Sequence, residues 1–500
     1  MNEVDVMQKI TGLNWLDLTI LFTGVAMLFV IAFFSGKEEK DTKDFFLGGR
    51  QIPTFIAILS FVATEVSAMT IIGVPATGFR ENLQYLQYFI GSATSKVVIA
   101  FLFIPAFYRF NCTTIYEFLK HRFGQETQVT GTIFFFVMRL LASSVRLYAA
   151  CLGISIIMGW NLPQTLLLFT IVSIIFIAFG GIKAVVWNGA FQATMFYITG
   201  AAVATYIVSV ISGGWPEIFK VAGDAGKLSL FNFKLSLSDP NTLWAATLNG
   251  LFIGLAAFGT DQELMQRLLT VKTRWQSQKA IMFTVIAALP VTVMYLGIGT
   301  LLFVFYKQNS GLPLPDNTDK ILSHFVVNSM PNGLKGLLLT TIFLASIDSP
   351  LSSLSTSFVT DIYRPLIVKN ASEHHYLWVS RIGIITFGLI LGVMAYMCRS
   401  LEGILWVAFQ IISITGSSLL GIFLFGFLTK RKANIGNVYA MVINSALIIV
   451  LMLLSRAKLI SIGWSWLIVI GTFVTFGLAY LLGKGTWVVA ADAPAPRDEK

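Results

Sequence analysis

Apolar residues gather along the chain into thirteen runs, at roughly 14–36, 53–73, 84–108, 128–159, 162–180, 185–212, 243–266, 277–306, 333–361, 376–398, 402–428, 435–454 and 459–484. Each is close to the roughly 20 residues that a helix needs to cross a bilayer. The pattern predicts an all-α polytopic membrane protein with about 13 transmembrane helices in a single transmembrane domain over 1–484. The connections at 213–242 and 307–332 are long enough to hold small helices outside the membrane. The stretch 485–500, rich in Ala, Pro and charge, reads as a disordered tail. The first run is longer than a signal peptide's apolar core and lacks a basic leader, so it is expected to stay in the mature protein.

The run at 333–361 breaks the apolar rule most sharply. Over 344–363 it carries Asp348, Asp361, Pro350 and eight Ser or Thr hydroxyls, and hydrocarbon tolerates such polarity at a cost. Ser346, Ser349 and Ser353 recur on one helical face. Pro350 has no N–H, so the Ser346 carbonyl loses its usual helical partner and is left as a free oxygen. Hydroxyls, a loose carbonyl and the Asp348 carboxylate suit a hard cation; a helix whose hydroxyls serve only packing is the other reading.

Two further runs are interrupted. The second has a polar centre of Thr64, Glu65, Ser67 and Thr70 and ends at Gly73 and Pro75; the seventh carries Gly250, Gly254 and Gly259. They lie five spans apart, and broken helices in corresponding places of two halves point to an inverted repeat with a midplane binding site. Glycine that only permits close helix packing is the alternative for the seventh run.

Composition agrees with the pattern: 56% of the 500 residues are hydrophobic and 12% charged, and the mean hydropathy is +0.76. The net charge of +10 is informative through its placement. Basic residues follow the first, third, seventh and eleventh runs, while the short loops at 74–83, 160–163 and 399–401 carry little charge, so the N-terminus is expected outside and the C-terminus in the cytoplasm. This placement explains the basic balance without a nucleic-acid partner. Cys112, Cys151 and Cys398 give neither a disulfide framework nor a metal spacing. There is no His-Glu-x-x-His string, and the four histidines, His121, His324, His374 and His375, are read as loop residues. An intramembrane enzyme is therefore not expected.

Of the charges inside apolar runs, Glu65, Arg139, Arg146 and Asp348 are singled out as functional candidates. Arg146 either clamps a substrate carboxylate or pairs with Glu65 or Asp348, with Arg139 two turns back on the same face.

Several strings now stand in one order along the chain: Asp44-Phe-Phe-Leu-Gly-Gly-Arg50, Ile104-Pro-Ala-Phe-Tyr-Arg109, Phe179-Gly-Gly-Ile-Lys-Ala-Val-Val-Trp187, Thr260-Asp-Gln-Glu-Leu-Met-Gln-Arg267, Asp361-Ile-Tyr363, and Lys430-Arg431 with Ala433-Asn434. In this order the chain resembles the sodium/solute symporter family over about 40–435. The resemblance implies a LeuT-type 5+5 inverted repeat, with a first repeat over 53–212, a second over 243–428, one extra N-terminal helix at 14–36 and two C-terminal helices at 435–484. It implies a Na+ site between the second and ninth runs, with backbone carbonyls from Ala63, Val66 and Ile342 and the hydroxyl of Ser346. Where the family usually has a further hydroxyl, this chain has Ala345. Many members carry Asp where this chain has Gly189 and serine where it has Asp348. Asp348 and Ser349 are thus the candidates for a second cation, as though the carboxylate had moved across the cavity. Ser67, Thr70, Gln84, Tyr85, Gln87, Arg146 and Phe258 are implied for the solute. Members that carry sialic acid place their substrate arginine about one turn before Arg146, where this chain has Ala142.

The function expected is sodium-coupled secondary symport, importing a small polar organic solute (a sugar, sugar acid or other organic carboxylate) by alternating access. The site would be the plasma membrane, a bacterial inner membrane, and the working unit a monomer in the lipid bilayer. A proton-coupled or uncoupled transporter of the same fold, using Glu65 or Asp348, and a solute sensor that does not transport are the alternatives.

Overall fold

The structure, a computed structural model, describes residues 13–35, 41–347, 350–400 and 404–485. Asp348, Ser349 and nearly all of the expected tail at 485–500 lie outside the described residues. The described chain is built of helices: α1 (Trp15–Ser35), α2 (Thr54–Glu65), α3 (Ala68–Arg80), α4 (Gln87–Val98), α5 (Ile115–Arg122), α6 (Gln125–Met158), α7 (Leu162–Val210), α8 (Gly214–Asp224) and α9 (Leu243–Gly254). There follow α10 (Gln262–Leu268), α11 (Arg274–Gln308), α12 (Ile321–Ser329), α13 (Leu334–Ile347), α14 (Leu351–Ser357), α15 (Glu373–Met397), α16 (Ile404–Leu428), α17 (Asn434–Arg456) and α18 (Leu467–Leu482). Small helices do form in both long connections, α8 in one and α12 in the other.

Among the described residues, ten helices are long and apolar enough to cross a membrane, or up to 12 if each of two bent pairs is one span. The count falls short of thirteen partly because Leu162–Ala178, the first part of α7, is shorter than a full span. A positive φ of 50° at Gly181 separates it from the second part, a conformation that glycine adopts without steric cost.

Both expected interruptions are present, with different causes. Helix α2 stops at Glu65, Val66 leaves helical geometry, and α3 starts with Ser67 at its N-cap, so carbonyls of the preceding turn lose their intrahelical donors. In the second half, Leu243–Gly259 and Gln262–Leu268 are bent by 68°. That break falls at Thr260 and Asp261, after the glycines. Gly250 and Gly254 instead admit α4: a Cβ would stand 2.2 Å from the Tyr88 carbonyl oxygen at Gly250 and 2.2 Å from Ser95 Oγ at Gly254. Close packing is the role of these two.

The N-terminal helix has a specific task. Asp17, fully buried on α1, accepts from the backbone N–H of Gly333 at 2.6 Å and of Gly336 at 2.8 Å. A carboxylate thus satisfies orphan amides at the positive end of α13. Gly336 lets the two backbones meet, since a Cβ there would stand 2.5 Å from the Asp17 Cα.

The motif strings converge on one end of the bundle. Gln266 Nε2 donates to the Phe46 carbonyl at 2.6 Å and Arg267 to Ser60 Oγ at 2.6 Å. Ile115 N–H donates to Gln262 Oε1 at 2.9 Å, and Tyr116 Oη to the Thr260 carbonyl at 3.0 Å. Asp361, fully buried, accepts from Thr114, Gln128 and Thr132 at 2.6, 2.8 and 3.1 Å. Side chains distant in sequence therefore close this end through hydrogen bonds that satisfy one another's buried groups.

Candidate functional site

A cavity of about 190 Å³ opens beside the α2–α3 break. Its wall includes Glu65, Ser67 and Thr70 from the broken helix, Tyr85 before α4, Arg139, Ala142 and Arg146 from α6, and Asn249, Phe258 and Asp261 from the second broken span. Five of the seven residues expected for the solute, Ser67, Thr70, Tyr85, Arg146 and Phe258, are thus brought together.

Gln84 and Gln87 are not in this wall. Gln84 Nε2 donates to Ser229 Oγ at 3.1 Å, and Gln87 Nε2 donates to the Asn241 carbonyl at 2.9 Å while its Oε1 accepts from Asn232 N–H at 2.9 Å. They hold the 225–242 connection against the bundle because an extended segment must find partners for its backbone. Lys227 helps from the same segment, donating to the Phe79 and Glu81 carbonyls at 2.6 and 2.7 Å, which caps α3.

Among the described residues, the intramembrane charges find partners that the sequence reading does not name. Glu65 accepts from Lys96 Nζ at 2.8 and 2.7 Å. Arg139 pairs with Asp261 and, at 2.5 Å, with Glu263. Arg146 reaches Glu263 at 3.4 Å and the Thr64 carbonyl at 3.4 Å, so among the described residues its carboxylate partner is Glu263 and not Glu65. Lys96, Asp261 and Glu263 were missing from the expected charge network. A lone lysine inside the third apolar run was a readable signal; the acids were visible only as part of the Thr260–Arg267 string.

Ala345 and Ser346 line a second, smaller cavity of about 20 Å³ with Ser143, Arg146, Thr170 and Ser173. It has room for about one water. Arg146 stands in the walls of both cavities. The expected sodium set is divided between them, Val66 in the wall of the larger and Ala345 and Ser346 in that of the smaller, while Ala63 and Ile342 are fully buried in the surrounding core. Ser346 Oγ donates to the Phe343 carbonyl at 2.6 Å, leaving its lone pairs to serve a cation. Gly189 packs directly on α2: a Cβ there would stand 2.6 Å from Ser60 Oγ.

The histidines do not lie in loops. His121 and His324 are in α5 and α12, and His374 and His375 in the first turn of α15. No group of three or more His, Cys, Asp or Glu able to hold a metal ion occurs among the described residues. Cys112, Cys151 and Cys398 are free thiols.

A family profile described as "Sodium:solute symporter family" matches residues 45–444. The sodium/sialic acid symporter SiaT of Proteus mirabilis is 28% identical over 86% of this chain and 88% of its own. Human sodium-coupled monocarboxylate transporter 1 is 26% identical over 81% of this chain and 67% of its own. Among solved structures, a substrate-bound, outward-open Na+-coupled sialic acid symporter superposes with a TM-score of 0.85 at 24% identity, covering 94% of this chain and 99% of that one. MhsT, in complex with L-phenylalanine, superposes with a TM-score of 0.54 at 13% identity, covering 87% of this chain and 98% of that one. The fold is of the LeuT type.

Proposed function

This chain belongs to the Sodium:solute symporter family, and on that premise we propose that it imports a small organic carboxylate bearing hydroxyl groups. It is a transporter, not an enzyme, and sodium is its coupling ion. The observation that carries the solute class is Arg146: it faces the larger cavity, and its contacts to Glu263 and to the Thr64 carbonyl are both long, at 3.4 Å. Arg139, by contrast, is held by two acids. A guanidinium in so loose a contact is free to engage an incoming carboxylate bidentately. Asn249 Oδ1, buried without a hydrogen-bond partner in the same wall, supplies an acceptor for a solute hydroxyl. Relatives named for sialic acid and for monocarboxylates handle acids as well.

In this reading sodium lies between α2 and α13, at the Ala63 and Val66 carbonyls, the Ile342 carbonyl and Ser346, next to Ala345, with Asp348 and Ser349 offering a second cation position. Sodium favours the state in which the α2–α3 break is shaped for the solute, and inward release follows closure. The N-terminus is outside and the C-terminus cytoplasmic, so the end closed by the motif strings is the cytoplasmic gate. The protein works as a monomer in the plasma membrane. A membrane potential adds about 2.3 kcal/mol per charge at 100 mV.

The test is uptake into proteoliposomes under an imposed sodium gradient, with sugar acids, monocarboxylates, neutral sugars and amino acids. Sodium-driven accumulation of an acid is expected. Accumulation of neutral sugars alone would remove the carboxylate reading.

A further inference from the structure

Lys96 is the one charge in the α4 span that neither the solute nor the sodium reading uses. It is fully buried, and its ammonium lies between both carboxylate oxygens of Glu65, at 2.8 and 2.7 Å. Around the same nitrogen stand three aromatic rings, with centroids at 5.1 Å for Phe258, 5.9 Å for Phe61 and 5.9 Å for Phe89. A carboxylate set among aromatic faces is how proteins recognise free ammonium and methylated ammonium ligands. Here the chain supplies the cation itself.

The surroundings show where this subsite leads. Glu65, Phe89 and Phe258 all belong to the wall of the larger cavity, and Lys96 lies behind them. The Glu65 side chain is 14% exposed, whereas that of Lys96 is not exposed at all. Glu65 therefore faces the cavity on one side and the tethered ammonium on the other. Removing the lysine beyond Cβ would leave a space the size of propylammonium, continuous with this wall and lined by a carboxylate without a counter-ion.

We propose that Lys96 is a tethered cation filling an ammonium-binding subsite made by Glu65, Phe61, Phe89 and Phe258, and that by filling it Lys96 excludes amines from the solute cavity and reserves the cavity for acids. With Lys96 in place, an amine would have to displace a bidentate, desolvated ion pair, and a burial of that kind without compensation is costly. A carboxylate meets no such barrier, because Glu65 is already neutralised. The inference rests on the reading of this cavity as the solute site.

The test uses purified full-length protein and measures equilibrium binding of propylammonium and tetramethylammonium by calorimetry, separately from any uptake. Lys96→Ala should bind propylammonium roughly thirty-fold more tightly than wild type, corresponding to about 2 kcal/mol for a desolvated cation held over aromatic rings. Lys96→Met, which removes the charge but fills the space, should show no gain, and Lys96→Ala combined with Glu65→Gln should lose it. The proposal is overturned if Lys96→Ala binds ammonium no better than wild type, or if Lys96→Met gains equally. If Lys96→Ala accumulates as folded protein only when purified in propylammonium chloride and not in sodium chloride, that rescue supports the proposal. Its failure in both salts while Lys96→Met folds overturns it. Sodium-driven uptake of acids by the wild type is a separate readout, so its failure would sink the solute assignment without deciding the ammonium subsite.

Discussion

Arg139 and Arg146, two turns apart on α6, share the carboxylate of Glu263, at 2.5 Å from the first and 3.4 Å from the second. The asymmetry assigns them different work. Arg139 also holds Asp261 and is 7% exposed, whereas Arg146 is 14% exposed and has no second acid among the described ion pairs.

Substituting each arginine should therefore give different losses. Arg139→Gln orphans buried charge from two acids and should destabilise the fold by about 3–5 kcal/mol, read as a lowered melting temperature. Arg146→Gln should leave melting nearly unchanged while weakening binding of the transported acid roughly tenfold to hundredfold, the loss of about 1.5–3 kcal/mol for a charged hydrogen-bonded contact. Arg146→Lys should recover only part of it, because an ammonium cannot form the planar fork. Unaltered solute affinity in Arg146→Gln would show that the residue only braces Glu263.

Asp17 offers a test of the N-terminal helix. Asp17→Ala removes the acceptor for two amides at the start of α13 and should cost about 1–2 kcal/mol. Asp17→Asn, which keeps an oxygen acceptor but no charge, should cost less. Thermal unfolding in detergent reads both, and equal, negligible effects would mean that α1 contributes packing alone.

How much of this was legible beforehand differs by kind of feature. Span positions followed from long apolar runs, and the α2–α3 break from Thr64, Glu65, Ser67 and Thr70, because burial in lipid leaves a local signature. The pairing of charges did not. Glu65 and Lys96 are separated by 31 residues, and Arg139 and Asp261 by 122, so their meeting depends on how helices cross, which periodicity does not encode. Gln84 and Gln87 sit among aromatic residues that do reach the cavity, yet turn to the 225–242 connection, and only the backbone of that distant segment decides it.

Gly189 bears on the missing carboxylate of the family pattern. Because a Cβ there would press on Ser60, which also accepts from Arg267, Gly189→Ala should destabilise by about 1–3 kcal/mol through overpacking. Gly189→Asp should fold less well still and should not raise sodium affinity. Melting temperature and half-saturating sodium measured on the same preparations test this; a well-folded Gly189→Asp with tighter sodium binding would mean that α2 and α7 separate easily.

Ala345 sets the last expectation. It stands beside Ser346 in the wall of the smaller cavity, where an added hydroxyl needs little more space than the methyl group already there. If sodium sits at Ser346, Ala345→Ser supplies a further oxygen to a hard cation and should lower the half-saturating sodium concentration for acid uptake about tenfold, equivalent to about 1.4 kcal/mol. Ser346→Ala should raise it by a similar factor. The pair of variants is informative because both changes are small and neither alters charge, so a shift in opposite directions is hard to obtain from altered folding. Sodium titration of uptake at fixed solute decides the matter: two unshifted curves would place the coupling ion away from α13, and the Ala345 departure would then carry no consequence for sodium.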